Sequence, residues 1–308
     1  MKRLFRGCLP TLLVMAPIVW GTVWLTATFV NPRTPSNTDI ASSELLRNPP
    51  PAPAEPVTLT MVTFNIQSLW VVGLKRPARM RALGDLMQQF QPDIVCWQEA
   101  FIDKDRALLI ESLEGSGLEY HEYYPSATMG SGLMISSRYP IREALFHRFE
   151  ASNPWHRVWE GDWWAGKGVA LARIELPDGQ GVVDVYNTHV QAGYGRPSYI
   201  PVRLDQMRET AAFMAATNLP TAPAFYLGDI NARDGRNAGY ELIVELANLE
   251  RLLAVPSSID HIFGVVDRGF EFEVEESWEL DRHLGIRLSD HNGYASRIRI
   301  IPAPAEAR

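Results

Sequence analysis

From Val57 to about residue 302, short apolar runs alternate with helical patterns, and this alternation restricts the chain to an α/β fold. Strand-like runs occupy residues 58–66, 93–97, 132–136, 168–176, 182–189, 225–227, 259–263 and 294–301, and helical spacing covers 78–90, 202–216 and 240–249. Several strands follow one another through turns such as Pro177-Asp178-Gly179 instead of helices, which implies hairpins and mixed sheets rather than one parallel sheet. No fixed-period repeat and no second linker interrupts the run. One domain over 57–302 with a tail at 303–308 is therefore expected.

The preceding residues differ in kind. Residues 7–32 carry no charge and follow Lys2, Arg3 and Arg6, the arrangement of a signal anchor or a signal peptide. Roughly 20 apolar residues span a bilayer whereas signal-peptide cores run only about 7–15, so an uncleaved membrane anchor is the expectation for 1–32. Cleavage near Ala27 is the alternative and would leave a secreted protein. The positive residues stay on the cytoplasmic side, so the long C-terminal part is expected outside the cytoplasm. Residues 33–56, ending in Pro49-Pro50-Pro51-Ala52-Pro53, read as a Pro-rich spacer.

Charge narrows the partners. The chain has 29 Lys and Arg against 36 Asp and Glu, a net charge of −7. The first 35 residues hold four basic residues and no acid, leaving −11 on the rest. Phosphate backbones are bound chiefly through Lys and Arg, so duplex nucleic acid is disfavoured. The two cysteines, Cys8 in the apolar segment and Cys96 in a strand-like run, offer neither a disulfide framework nor a cysteine metal site.

Six strand-like runs end in residues suited to metal or phosphate chemistry: Asn65 after Val62-Thr63-Phe64, Glu99 after Trp97-Gln98, His189 after Asn187-Thr188, Asp229 and Asn231 in Gly228-Asp229-Ile230-Asn231, Asp260 after Ile259, and Asp290-His291 after Ser289. Singly each reads as a turn former or a structural histidine. Together, in this order over about 240 residues, they resemble the endonuclease/exonuclease/phosphatase superfamily, which includes deoxyribonucleases, AP endonucleases, inositol phosphatases and neutral sphingomyelinases. The resemblance implies a four-layer α/β/β/α sandwich of two mixed β-sheets flanked by helices, preceded here by the N-terminal membrane segment.

It also implies a site at one edge of the sheets. Glu99 is then the principal Mg²⁺ ligand, with Asn65 beside it and Asp290 contributing; Mn²⁺ or Ca²⁺ are the alternatives to Mg²⁺. His291 is the expected general base and Asp260 its orienting carboxylate. Asp229 would position water or His291, while Asn231 and His189 would donate hydrogen bonds to phosphoryl oxygens. His121, His147, His156, His261 and His283 lack such context and read as structural or exposed.

A second motif, Asp162-Trp163-Trp164-Ala165-Gly166-Lys167-Gly168, looks like the Asp, four residues, Lys-Gly element of neutral sphingomyelinases, where Asp and Lys pair to arrange the site. Lys167 would then reach substrate phosphate and Asp162 hold it. The plain alternative is an ordinary surface ion pair worth about 0–1 kcal/mol. Trp155, Trp159, Trp163 and Trp164 fall within ten residues of loop-like sequence, and tryptophan favours the water–lipid boundary. A phospholipid of sphingomyelin type at a membrane surface is the leading substrate. A nuclease or another phosphodiesterase or phosphatase of the superfamily is the second reading, and a non-catalytic binding module the third.

Overall fold

The first long strand, Val57–Ser68 (β1), is buried at every position but Thr58 and Gln67, as a strand covered on both faces must be. A computed structural model describes residues 5–30, 37–71, 73–235, 237–256, 258–266 and 268–303, with the side chains of 5–14 and 30 outside the description. The further strands are Ile94–Ala100 (β2), Tyr120–Tyr123 (β3), Met134–Ser137 (β4), Ile141–Arg148 (β5), Gly168–Glu175 (β6) and Val182–His189 (β7). They continue with Ala224–Asp229 (β8), Leu249–Arg251 (β9), Asp260–Val265 (β10), Phe270–Leu280 (β11), Arg282–His283 (β12), Ile286–Arg287 (β13) and Gly293–Pro302 (β14). The helices are Phe5–Leu25 (α1), Glu44–Arg47 (α2), Arg76–Phe90 (α3), Asp103–Ser112 (α4), Asp162–Ala165 (α5), Tyr199–Ala216 (α6) and Ala238–Ala247 (α7).

One sheet runs β11-β14-β1-β2-β4-β3 and the other β5-β6-β7-β8-β10-β9. The pairs β1–β2 and β7–β8 are parallel and their neighbours antiparallel, so both sheets are mixed, as the hairpin turns required. Leu59, Met61, Cys96 and Ile135 of the first sheet and Ala170, Val185, Phe225 and Leu227 of the second form the apolar layer between them. Outside the first sheet, Met80, Leu83 and Met87 of α3 recur at helical spacing and cover Phe64 and Trp97. On the other side Met207 and Phe213 of α6 and Ile243 of α7 cover Tyr186 and Tyr226. The four-layer sandwich is thus present. Helix α3 approaches α4 so closely that a Cβ on Gly84 would lie 2.3 Å from Ser112, which explains a glycine in a helix interior.

At the N-terminus α1 runs into a π-helical turn, Thr26–Val30. The expected anchor lies partly outside the described side chains. Among the described residues no helix is long and apolar enough to cross a membrane.

The Pro-rich segment departs from a free spacer over residues 37–48. Ser43 caps α2, accepting from Leu46 N (3.1 Å), and its hydroxyl donates to Glu143 of β5 (2.7 Å). Glu44 N also donates to Glu143 (2.9 Å), and wholly buried Arg173 reaches Ser43 Oγ (3.0 Å) while pairing with Asp184 and Glu143. Leu45 and Leu46 cover Val182, Leu219 and Ala222. Burial of those leucines and completion of a buried ion network outweigh the extended preference of the prolines around them. Deleting residues 1–36 should leave the unfolding temperature unchanged, whereas deleting 1–55 should lower it by about 5 °C or more, since each 1 kcal/mol lost shifts Tm by roughly 2–4 °C at this size. Thermal unfolding by circular dichroism checks this, and equal melting temperatures would show the docked segment to be dispensable.

Candidate active site

Strand register assembles the site. Parallel pairing of β7 and β8 sets His189 opposite Asp229, and antiparallel pairing of β8 and β10 sets Asp260 opposite the same Asp229. In the first sheet Asn65 pairs with Gln98, one residue before Glu99. Tyr294 of β14 pairs with Thr63 of β1, so the Ser289-Asp290-His291 segment leading into β14 arrives at the same end. Gly228 stands beside Thr188, where a Cβ would lie 2.1 Å from the Thr188 carbonyl; only glycine lets β8 come this close to the strand ending in His189.

Across the two sheets, Asn65 Nδ2 donates to Glu99 Oε1 (3.1 Å) and to Asp229 Oδ2 (3.2 Å). His291 Nδ1 is 3.0 Å from Asp260 Oδ2 and 3.8 Å from Asp229 Oδ2, and His189 Nε2 is 3.4 Å from Asp229 Oδ2. Asn231 N donates to Asp229 Oδ1 (2.9 Å), but its side-chain amide is directed to the Val190 carbonyl (3.3 Å). Asp290 is exposed, and its carboxylate accepts from Gln67 Nε2 (2.7 Å) and Ser289 Oγ (3.2 Å), so the structure joins Glu99 to Asn65 but occupies Asp290 elsewhere. Gln67 (φ 46°), Glu99 (φ 56°) and Asn231 (φ 48°) all hold left-handed backbone, a conformation that costs non-glycine residues energy and is retained where the surroundings fix it.

Crowded carboxylates dominate the electrostatics. Burial raises the carboxyl pKa of Glu99 and of Asp260, and burial together with the Asp260 charge pushes Asp229 up to about 6. Burial opposes the charged form of His291, yet its hydrogen bond to Asp260 and the Asp229 charge raise it to about 10. His189 is held well below the usual imidazole range by burial and then by the Lys167 and His291 charges. Ligand-type atoms of Asp229, Asp260 and His291 lie within 4.8 Å of one another. Asp260 Oδ1 and His189 Nδ1 are buried without a hydrogen-bond partner. The hard oxygens of Glu99, Asn65 and Asp229, with their excess negative charge, are a donor set that fits a divalent cation of the Mg²⁺ type, whereas Asp260 and His291 are paired with each other.

Asp162 and Lys167 also meet here. Their ion pair (2.7 Å) has both side chains buried, which removes the surface-pair alternative. Lys167 Nζ donates to the Val190 carbonyl (2.8 Å), and Gln191 Nε2 donates to Asp162 (2.6 Å). Both residues line a recess of about 80 Å³ with Glu99, His189, Phe101 and Tyr194. Of the four tryptophans, Trp164 is buried and donates to the Trp155 carbonyl, Trp155 and Trp163 are half-buried, and Trp159 is exposed. The cluster as a whole is thus not a surface belt. Among the set-aside histidines, His261 is buried with Nε2 at the Ala232 carbonyl (2.9 Å), His147 meets Glu209 (3.0 Å) and His121 meets Ser136 (2.9 Å).

Four further residues, Gln98, Asn187, Gln67 and Arg79, support the site without being marked for chemistry by the sequence. Gln98 Nε2 donates to Asn187 Oδ1 (2.8 Å), a polar bridge between the sheets directly behind Glu99 and His189. Gln67 holds Asp290, and Arg79 gathers the carbonyls of Ile66, Gln67, Leu74 and Leu288 around one guanidinium. Gln98 and Asn187 are polar residues in otherwise apolar strands, a signal that was present; Arg79 on a helix gives none.

A model described as the Endonuclease/Exonuclease/phosphatase family matches residues 62–291. A putative neutral sphingomyelinase of Drosophila melanogaster is 36% identical over 177 residues, 57% of this chain and 39% of that protein. An inositol phosphosphingolipids phospholipase C of Schizosaccharomyces pombe is 30% identical over 207 residues, 66% of this chain and 48% of that protein. The chain thus spans less than half the length of these curated relatives. The crystal structure of a Staphylococcus aureus beta toxin variant with bound magnesium ions superimposes with a TM-score of 0.61 at 19% identity, covering 80% of this chain and all of that one. With the ordered strand-end residues gathered at one end of a two-sheet sandwich, and the family match extending from β1 to His291, the chain belongs to the endonuclease/exonuclease/phosphatase family.

Proposed function

We propose that this chain is a divalent-metal-dependent phosphodiesterase that cleaves a sphingolipid phosphodiester in the manner of a phospholipase C. The observation that carries the reading is the continuous array Glu99–Asn65–Asp229–His291–Asp260 joining the two sheets, with the buried Asp162–Lys167 pair beside it. Both curated relatives above are named for phosphodiester cleavage in sphingolipids, and the superimposed toxin holds magnesium.

Asp260 accepts from His291 Nδ1, fixes the tautomer and leaves Nε2 for the proton of an attacking water. The hydrogen bond to Asp260 and the Asp229 charge favour the protonated form of His291, so charge that offsets these carboxylates would free Nε2 to act as a base. A bound Mg²⁺, held by Glu99 and Asn65, would supply that offset and polarise the phosphoryl oxygen. His189, neutral and bound to Asp229, keeps its ring fixed at the edge of the recess. We further assign residues 7–32 as the tether that holds the domain at the extracytoplasmic membrane surface. The uninterrupted apolar run behind a basic cluster supports it, as do the half-exposed Met15, Ile18, Trp20 and Trp24 of α1.

The Asp162–Lys167 pair offers a test of the lipid reading. Asp162→Asn and Lys167→Ala should each lower turnover of sphingomyelin, and the double variant should fall short of their product, because contacting residues couple by about 0.5–3 kcal/mol. Breaking a buried pair destabilises by about 3–5 kcal/mol, so thermal unfolding is measured in parallel. Unchanged turnover in all three variants would remove the pair from the site's function.

A further inference from the structure

A phosphodiester has two arms, and two recesses that share no lining residue adjoin the candidate centre. The first is the polar recess of about 80 Å³ containing Glu99, Asp162, Lys167, His189 and Tyr194. The second is a groove of about 620 Å³ between the start of α3 and the β12–β13 hairpin, and it borders the centre through Gln67, whose N donates to Asn65 Oδ1 (3.2 Å), and Ser289, whose Oγ accepts from His291 N (3.3 Å).

The groove's chemistry is more apolar than its residue names suggest. Leu74, Ala78 and Ile286 present hydrocarbon directly. Arg79 forms part of the wall, but its guanidinium is directed to the carbonyls of Leu74, Ile66, Leu288 and Gln67. Arg287 likewise donates to the carbonyls of Ser289 (2.8 Å) and Asp290 (3.3 Å). Two of the three cations are therefore occupied with backbone, and their aliphatic stems, with that of Lys75, extend the apolar wall. The outer rim continues it: Leu74 is 77% exposed, Val71 89% and Leu284, at the tip of the hairpin, 72%.

From this we infer that the groove between α3 and the β12–β13 hairpin seats the apolar, ceramide-like arm of the substrate, leaving the phosphorylated headgroup to the small polar recess. The inference rests on the sphingolipid phosphodiesterase reading of the site. The groove borders the centre through Gln67 and Ser289, which bond Asn65 and His291, is large enough for a lipid segment, and has exposed aliphatic side chains at its outer end where a membrane surface would lie. A nucleic-acid strand would instead need phosphate-binding cations, and Lys75 alone among the groove's cations has no backbone acceptor assigned to it.

The test compares two substrates on the full chain with Mg²⁺: long-chain sphingomyelin in mixed micelles and the soluble, tail-free diester p-nitrophenylphosphorylcholine. Ala78 is exposed on α3 and Leu74 is exposed on the preceding loop, so Ala78→Trp and Leu74→Asn should fold. Filling or thinning an apolar subsite by this much should lower kcat/KM on sphingomyelin by about tenfold or more, the scale on which hydrophobic pockets discriminate. Turnover of the tail-free diester should stay within about twofold of wild type. Equal losses on both substrates, or no loss on sphingomyelin, would overturn the groove assignment while wild-type sphingomyelin turnover upheld the function. A wild-type chain that releases nothing from sphingomyelin would overturn both.

Discussion

Replacing His291 with Ala should lower turnover by about 10²- to 10⁴-fold, the contribution usual for a positioned general base, while the Mg²⁺ concentration at half-maximal activity stays near the wild-type value. The expectation follows from geometry. His291 Nδ1 is engaged by Asp260 and the ring is partly exposed, so Nε2 is the proton acceptor the site offers to water. No contact joins His291 to Glu99 or Asn65 among the described hydrogen bonds, which is why the variant should retain its cation. Initial rates over a Mg²⁺ titration, for wild type and variant, separate the two quantities. A loss of a few fold only, or a large shift in the Mg²⁺ midpoint, would assign His291 to something other than proton transfer.

Glu99→Gln should produce the opposite split. The amide keeps the shape and one carbonyl oxygen but removes the charge, so the Mg²⁺ midpoint should rise by about tenfold or more, as is usual when a metal ligand or the group that orients it is lost, with turnover falling at fixed Mg²⁺. The fold should not suffer. Burial already penalises the Glu99 carboxylate, so neutralising it relieves desolvation in the metal-free protein, and unfolding without metal should occur at or above the wild-type temperature. Calorimetric Mg²⁺ titration of both proteins checks the first statement and thermal unfolding in chelator the second. Equal Mg²⁺ affinity would remove Glu99 from the ligand set.

Where the sequence was readable, periodicity and position were coupled. The strands β1, β2, β7, β8 and β10 read clearly because their apolar runs are buried on both faces, and each has one end at the site, so Asn65, Glu99, His189, Asp229 and Asp260 were marked by where apolar character stops or starts. Edge and peripheral elements were not readable. Strand β11 reads Phe270-Glu271-Phe272-Glu273-Val274-Glu275-Glu276, charged on its exposed face because it borders a sheet where charge discourages further pairing. Strand β5 has only two fully buried positions, and α4 opens with Asp103, Lys104, Asp105 and Arg106, so neither shows a strong apolar pattern. The Pro-rich composition of 33–56 concealed the docked segment, since the acceptor for Ser43 is a glutamate 100 positions away. The same long-range logic concealed Arg79, whose four carbonyl partners come from three separate stretches of chain. Within the site, composition showed which residues carry chemistry but not that Asp290 turns to Gln67 or that Asn231 turns to Val190.

The substrate class is separated by a two-substrate assay. Purified protein with Mg²⁺ is given sphingomyelin in mixed micelles and, in parallel, supercoiled plasmid DNA, with His291→Ala as the control for contaminating activity. The sphingolipid reading requires release of phosphocholine and ceramide from sphingomyelin, dependent on His291, with the plasmid left supercoiled. Nicking or linearisation of the plasmid by wild type but not by His291→Ala, with sphingomyelin intact, would contradict it.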